Sequence, residues 1–176
     1  ISHSINDAKD AISFKVTAGE KYYLSVNQQY DSRFLVFAEK PEEIKPNPLA
    51  SDTFIIHEGM SRYSYENSDK KVLYFTAGIH EIGAQFPLKS GQTLYLEAGA
   101  YLKGTLSCKR EGANGAKVIG RGVLSGEVFY MGSSPNTKYL PRPTNFYNNA
   151  IYLGGANREQ ADKQTVRGIT IIYSPD

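Results

Sequence analysis

The sequence predicts an all-β chain in two parts: an N-terminal β-sandwich piece, then the first coils of a right-handed parallel β-helix. Three observations carry this. Short apolar runs at residues 72–75, 93–96 and 117–119 start 21 and then 24 residues apart, and each leads into a glycine turn. Within and after these runs Leu94 and Leu96, and Val118 with Val123, alternate with polar or small neighbours, which is strand periodicity. Before residue 58 the spacing is that of hairpins, with turn residues between runs of four to six apolar-rich positions. A repeat of about 22 residues made only of strand and turn cannot bury its apolar side alone, but stacked coils can.

Residues 1–10 are polar and are expected to form an arm. Residues 11–16 (AISFKV) alternate, 17–20 (TAGE) turn, and 21–26 (KYYLSV) return, which predicts a hairpin. After a polar turn at 27–31, the run RFLVFA at 33–38 reads as a buried strand. Residues 39–50 hold three prolines and several charges, a surface loop, and DTFIIH at 52–57 reads as a fourth antiparallel strand. The polar stretch 58–71 reads as the junction between a sandwich-like domain at 1–68 and a β-helix at 69–176. From Val72 the coils alternate strand and corner up to Gly126. Residues 127–149 (EVFYMGSSPNTKYLPRPTNFYNN) then break the rhythm, with three prolines and five aromatics in 23 residues. A loop this long on a repetitive scaffold points to binding. Strands resume at 150–153 and 166–173, and further coils are expected beyond Asp176.

Composition narrows the function. A net charge of +2 without a basic cluster argues against nucleic acid, and no apolar run reaches the roughly 18 residues of a membrane span. Cys108 is the only cysteine, so neither an intrachain disulfide nor a C-x-x-C site exists. The three histidines, His3, His57 and His80, lack metal-ligand spacing, so neither metal nor cofactor is expected. Starting at Ile1, the chain reads as a processed product or a piece of a longer one.

Acid–base chemistry needs paired carboxylates, and Glu81, Glu97, Glu127, Asp162 and Asp176 are the candidates here. Glu97 falls at a corner, where solvent or a turn accounts for it. Glu127 stands at the mouth of the long loop and either caps the Ser125-Gly126 turn or lines a groove. The loop aromatics Phe129, Tyr130, Tyr139, Phe146 and Tyr147, with Asn145, Asn148 and Asn149, either stack on sugars and bond their hydroxyls or pack the loop down on the coils. The candidate substrate-binding residues are therefore Glu127, Tyr130, Tyr139, Tyr147 and Asn148. No catalytic residue is assigned.

The segments FLVFAE (34–39), VLYFTAG (72–78), YLEAGAYLKG (95–104) and VIGRGVLSGE (118–127) resemble, in the same order, segments of the family 49 glycoside hydrolases, the dextranases and isopullulanases. His80 stands where that family's pattern carries a tyrosine. More loosely, the patterns are similar to those of the pectin-lyase-like β-helix enzymes. The resemblance implies a secreted, endo-acting, inverting polysaccharide hydrolase whose catalytic aspartates lie on coils after Asp176, so its partners would be a polysaccharide and the rest of the β-helix. Two other readings stay open: a carbohydrate-binding or structural β-helix module without catalysis, and a pectin-active hydrolase or lyase.

Overall fold

The computed structural model describes residues 3–8, 11–25, 33–107, 113–127, 150–153 and 162–172. These residues are all-β apart from one 3-10 turn at Arg62–Ser64, and they include a β-solenoid of about three turns. The chain divides into two compact units, Ile1–Glu43 and Ile44–Asp176.

In the first unit, β1 (His3–Ile5) pairs antiparallel with β2 (Ile12–Phe14), and β3 (Glu20–Ser25) pairs antiparallel with β4 (Arg33–Ala38). The arm expected at 1–10 therefore contains a strand. The hairpin expected between 11–16 and 21–26 is replaced by two others. The turn between them does form, with Glu20 N donating to Thr17 O at 3.1 Å. Its glycine amide, however, bonds Ala38 O, and Thr17 N donates to Tyr22 Oη. The turn thus hands the edge of β3 to β4 and leaves β2 to pair backwards with β1. The run at 33–38 is not a buried strand: Phe34 is 69% and Leu35 68% exposed. A continuous apolar run is buried only where both faces of its sheet are covered, and among the described residues this ribbon has two strands.

The second unit is the solenoid. One sheet stacks β5 (Thr53–Ile56), β6 (Val72–Phe75), β8 (Thr93–Leu96), β10 (Lys117–Gly120) and β13 (Thr165–Arg167), all parallel and in register. The other stacks β7 (Gly78–Pro87), β9 (Ala100–Ser107), β11 (Val123–Ser125) and β14 (Thr170–Ile172), with β12 (Ile151–Tyr152) on the far half of β9. The strand at 52–57, expected to pair antiparallel with the N-terminal part, is instead the first rung of the solenoid, with Phe54 beside Leu73 and Ile56 beside Phe75. A lone strand with turns on either side looks the same in sequence whether its partner runs parallel or antiparallel.

In-register stacking builds the core. Leu73, Leu94 and Val118 form one inward column and Phe75 with Leu96 a second, all with at most 1% of their surface exposed. His80, Leu102 and Leu124 form a third column on the opposite sheet. The outward residues of the first sheet, Tyr74, Tyr95 and Ile119, are also buried, and the two tyrosine rings lie 4.7 Å apart. Burial on both faces explains why these strands read VLYF and TLYL rather than alternating strictly.

Three apolar residues of the later coils, Val123, Ile169 and Ile171, are not fully buried. Val123 is only half-buried, and its neighbour Leu124 takes the core position. Between Gly120 and Val123 lie two corner residues where the previous coil has four between Leu96 and Tyr101, so alternation cannot be counted across the corner. Ile169 is half-buried against the core. Ile171 stands in register on Leu124 but remains 42% exposed, with no described coil on its other side.

The polar stretch 58–71 is part of the solenoid unit and plugs it. Tyr65 enters the core against Phe75 and Phe86, each ring centroid 5.7 Å away. Lys89 Nζ donates to Asn67 O, Ser68 O and Asp69 Oδ1, each at 3.0 Å, and Gln92 Nε2 donates to Ser68 O and Lys70 O. These bonds hold the stretch down on the next coil. The Tyr65 hydroxyl is buried without a hydrogen-bond partner among the described residues, and burial pushes its pKa up to about 12. An unmade bond on a desolvated hydroxyl costs about 1–3 kcal/mol. Tyr65→Phe is therefore expected to raise the denaturation midpoint of the chain, and a lowered midpoint would show that the hydroxyl is bonded.

Candidate functional site

The outer face of the second sheet carries Glu127, which sequence analysis placed at the mouth of the long loop. Along β9, Ala100 and Leu102 point into the core, which leaves Tyr101 and Lys103 on the outer face. One coil back, Ile79 and Glu81 stand beside them in register; one coil on, Val123 and Ser125 do. Glu127 follows two residues after Ser125 and turns back over this face. Its Oε2 accepts hydrogen bonds from Tyr101 Oη (2.6 Å) and Ser125 Oγ (3.1 Å), and its Oε1 pairs with Lys103 Nζ at 2.9 Å. The Glu127 amide also donates to Ser125 Oγ, at 3.3 Å.

The electrostatics follow from these contacts. The Tyr101 hydrogen bond, then that from Lys103, holds the Glu127 carboxyl below its ordinary value. The same carboxylate raises Lys103, first through its hydrogen bond and then through its charge, with Glu81 adding a smaller contribution. Tyr101 is raised, chiefly by burial and then by its bond to Glu127. A general acid in glycoside hydrolysis needs a carboxyl whose pKa is pushed up. Glu127 is pushed the other way and both of its oxygens are engaged, so it suits an anchor or acceptor rather than a proton donor.

The other candidates are dispersed. Glu97 ties coils together: it accepts from Tyr74 Oη (2.9 Å) and the Ala77 amide (3.4 Å) and pairs with Lys45 at 3.7 Å. Glu81 is exposed on the outer face. Asp162 is exposed, and its amide donates to Asn114 Oδ1. His80 is buried, with Nε2 2.8 Å from Thr76 O and its ring edge-on to Phe75. No group of three or more His, Cys, Asp or Glu side chains that could hold a metal occurs among the described residues. Of the predicted substrate-binding residues, Tyr130, Tyr139, Tyr147 and Asn148, like Asp176, lie outside the described residues, and Glu127 alone is placed.

The sequence reading tied Glu127 to the Ser125-Gly126 turn, which its bonds to Ser125 bear out, but missed Tyr101 and Lys103 as its partners. Their signal is a register: Tyr101 and Lys103 fall opposite Val123 and Ser125, 22 residues on. It also missed Arg62, whose Nη1 donates to Ile82 O (2.8 Å) and Ala84 O (3.0 Å) where β7 bulges, while its Nε pairs with Glu66 at 2.6 Å.

Stacked parallel strands in two in-register sheets define the chain as a parallel β-helix. The chain is similar in sequence to two dextranases. It is 23% identical to the dextranase of Arthrobacter globiformis over 175 residues, covering 93% of this chain and 27% of that protein. It is 24% identical to the dextranase of Arthrobacter sp. strain CB-8 over 143 residues, covering 78% of this chain and 22% of that protein. The chain thus spans about a quarter of the length of the relatives it matches. Both relatives bear out the resemblance to the family 49 glycoside hydrolases read from the sequence segments. No protein-family model matches the chain. No solved structure matches it. Among the described residues no helix is long and apolar enough to cross a membrane.

Proposed function

We propose that this chain belongs to a secreted, endo-acting, inverting glycoside hydrolase of dextranase type, and that it supplies scaffold and part of the substrate groove rather than the acid and base. The similarity to two dextranases over 93% and 78% of the chain carries this reading. Substrate contacts come from Tyr130, Tyr139, Tyr147 and Asn148, with Glu127 at the root of the segment that bears them. The acid and base come from residues after Asp176, as the family resemblance implies. Strands β1 to β4 form part of a β-sandwich domain ahead of the solenoid.

A second reading, a glycan-binding module without catalysis, draws support from Glu127, whose carboxylate is already committed to Tyr101, Ser125 and Lys103. Reducing-sugar release from dextran, pullulan and polygalacturonate separates the two. The 176-residue chain is expected to release none, because it carries neither the acid nor the base, each worth a factor on the order of 10²–10⁴, while the complete gene product cleaves dextran. Turnover by the chain itself would overturn the division of labour. A complete product that binds dextran without cleaving it would favour the second reading, and cleavage of polygalacturonate instead would move the substrate to pectin.

A further inference from the structure

The two sheets of the solenoid differ in what becomes of their outward side chains. On the first sheet Tyr74, Tyr95 and Ile119 are at most 5% exposed. On the second the outward face is open: Ile79 is 48% exposed, Glu81 is exposed, and Tyr101, Lys103 and Val123 are half-buried. In-register pairing sorts these residues into two rows that cross three coils. One row is Ile79, Tyr101 and Val123. The other is Glu81, Lys103 and Ser125, and over Ser125 lies the Glu127 carboxylate that accepts its hydroxyl. Coils lie about 4.8 Å apart, and two residues along a strand separate the rows by about 6.6 Å.

An apolar strip beside a polar strip matches the chemistry of a pyranose, which has a face of C–H groups and a rim of hydroxyls. The Tyr101 ring with Ile79 and Val123 suits the C–H face, and the carboxylates of Glu81 and Glu127 suit the hydroxyls as acceptors. The charges narrow the ligand further. Lys103 stands between two carboxylates, Glu81 in register on the coil before it and Glu127 at 2.9 Å from the coil after it. Two carboxylates against one ammonium leave the rows with a net negative charge. An anionic sugar therefore finds the lysine already engaged and meets like charge on both sides of it. We infer that the outer face of β7, β9 and β11 is a subsite for a neutral glycan chain, with Glu81 and Glu127 setting its preference for neutral sugars over uronides. This inference rests on the reading of the chain as part of a polysaccharide hydrolase, to which it adds a surface and a selectivity.

The test measures binding of dextran and of polygalacturonate to the 176-residue chain and to its Ile79→Ser, Tyr101→Ala and Glu81→Lys variants, with the unfolding temperature of each. The unmodified chain is expected to bind dextran and not polygalacturonate. Dextran affinity should fall about tenfold in Tyr101→Ala and in the same direction in Ile79→Ser. Glu81→Lys should gain binding of polygalacturonate that fades as salt rises. Where Tyr101→Ala lowers the unfolding temperature, the exposed Ile79→Ser and Glu81→Lys variants carry the decision. Wild-type dextran affinity in both Tyr101→Ala and Ile79→Ser would overturn the inference. So would binding of polygalacturonate by the unmodified chain, or its absence in Glu81→Lys. A chain that binds neither polymer also overturns the subsite, and reducing-sugar release from dextran by the complete gene product then decides the functional reading by itself.

Discussion

Gly120→Ala is expected to destabilise the solenoid by about 3 kcal/mol or more, from a left-handed-side conformation costing about 1–2 kcal/mol and the loss of two hydrogen bonds. Gly120 has φ 132°, and a Cβ there would fall onto the backbone carbonyl of Leu96, with no flexible side chain to give way. That carbonyl accepts the amides of Arg121 (2.8 Å) and Gly122 (3.2 Å), the bonds that turn the third coil round its corner. Moving it to admit a methyl group breaks the corner. Gly91→Ala is the control: its φ is 70°, but nothing lies within 4 Å of the added carbon, so only the backbone cost applies. Urea denaturation of the two variants separates the effects. Equal midpoints would mean that the corner yields without loss.

Leu96→Ala is expected to cost about 2–5 kcal/mol, the range for large-to-small changes in packed cores. Leu96 is fully buried and stacks between Phe75 on one coil and Gly120 on the next. The missing side chain leaves a void that a glycine cannot fill from one side and that Phe75, held against Tyr65 and Phe86, is not free to fill from the other. Ile171→Ala removes a similar volume from a residue 42% exposed on the last described rung and should cost much less. A midpoint for Leu96→Ala no lower than that for Ile171→Ala would mean that the inward phase of β8 is misassigned.

The inward residues of the first sheet were legible because each apolar run starts a coil and period-2 alternation holds within it: Leu73, Phe75, Leu94, Leu96 and Val118 all lie in the core. Past a corner the phase was lost, and Leu124 rather than Val123 faces inward. The direction of a partner strand was equally invisible. Ile56 packs beside Phe75 in a parallel pair, although the segment around it had the look of a hairpin strand.

The candidate site was legible in one residue out of its cluster. Glu127 stood out because it opens the break in the repeat, while Lys103 and Tyr101 lie 24 and 26 residues earlier in the chain, with no local feature to tie them to it. By itself the sequence determined the all-β solenoid, the place where its rhythm breaks and the likeness to dextranases, because repeat length and glycine spacing are local properties. Only the tertiary structure decided that 52–57 is a rung, that Tyr65 plugs the core, and that Glu127 is held by Tyr101 and Lys103. Those facts depend on which coil lies on which, and that register is set by side chains packing across the stack rather than along the chain.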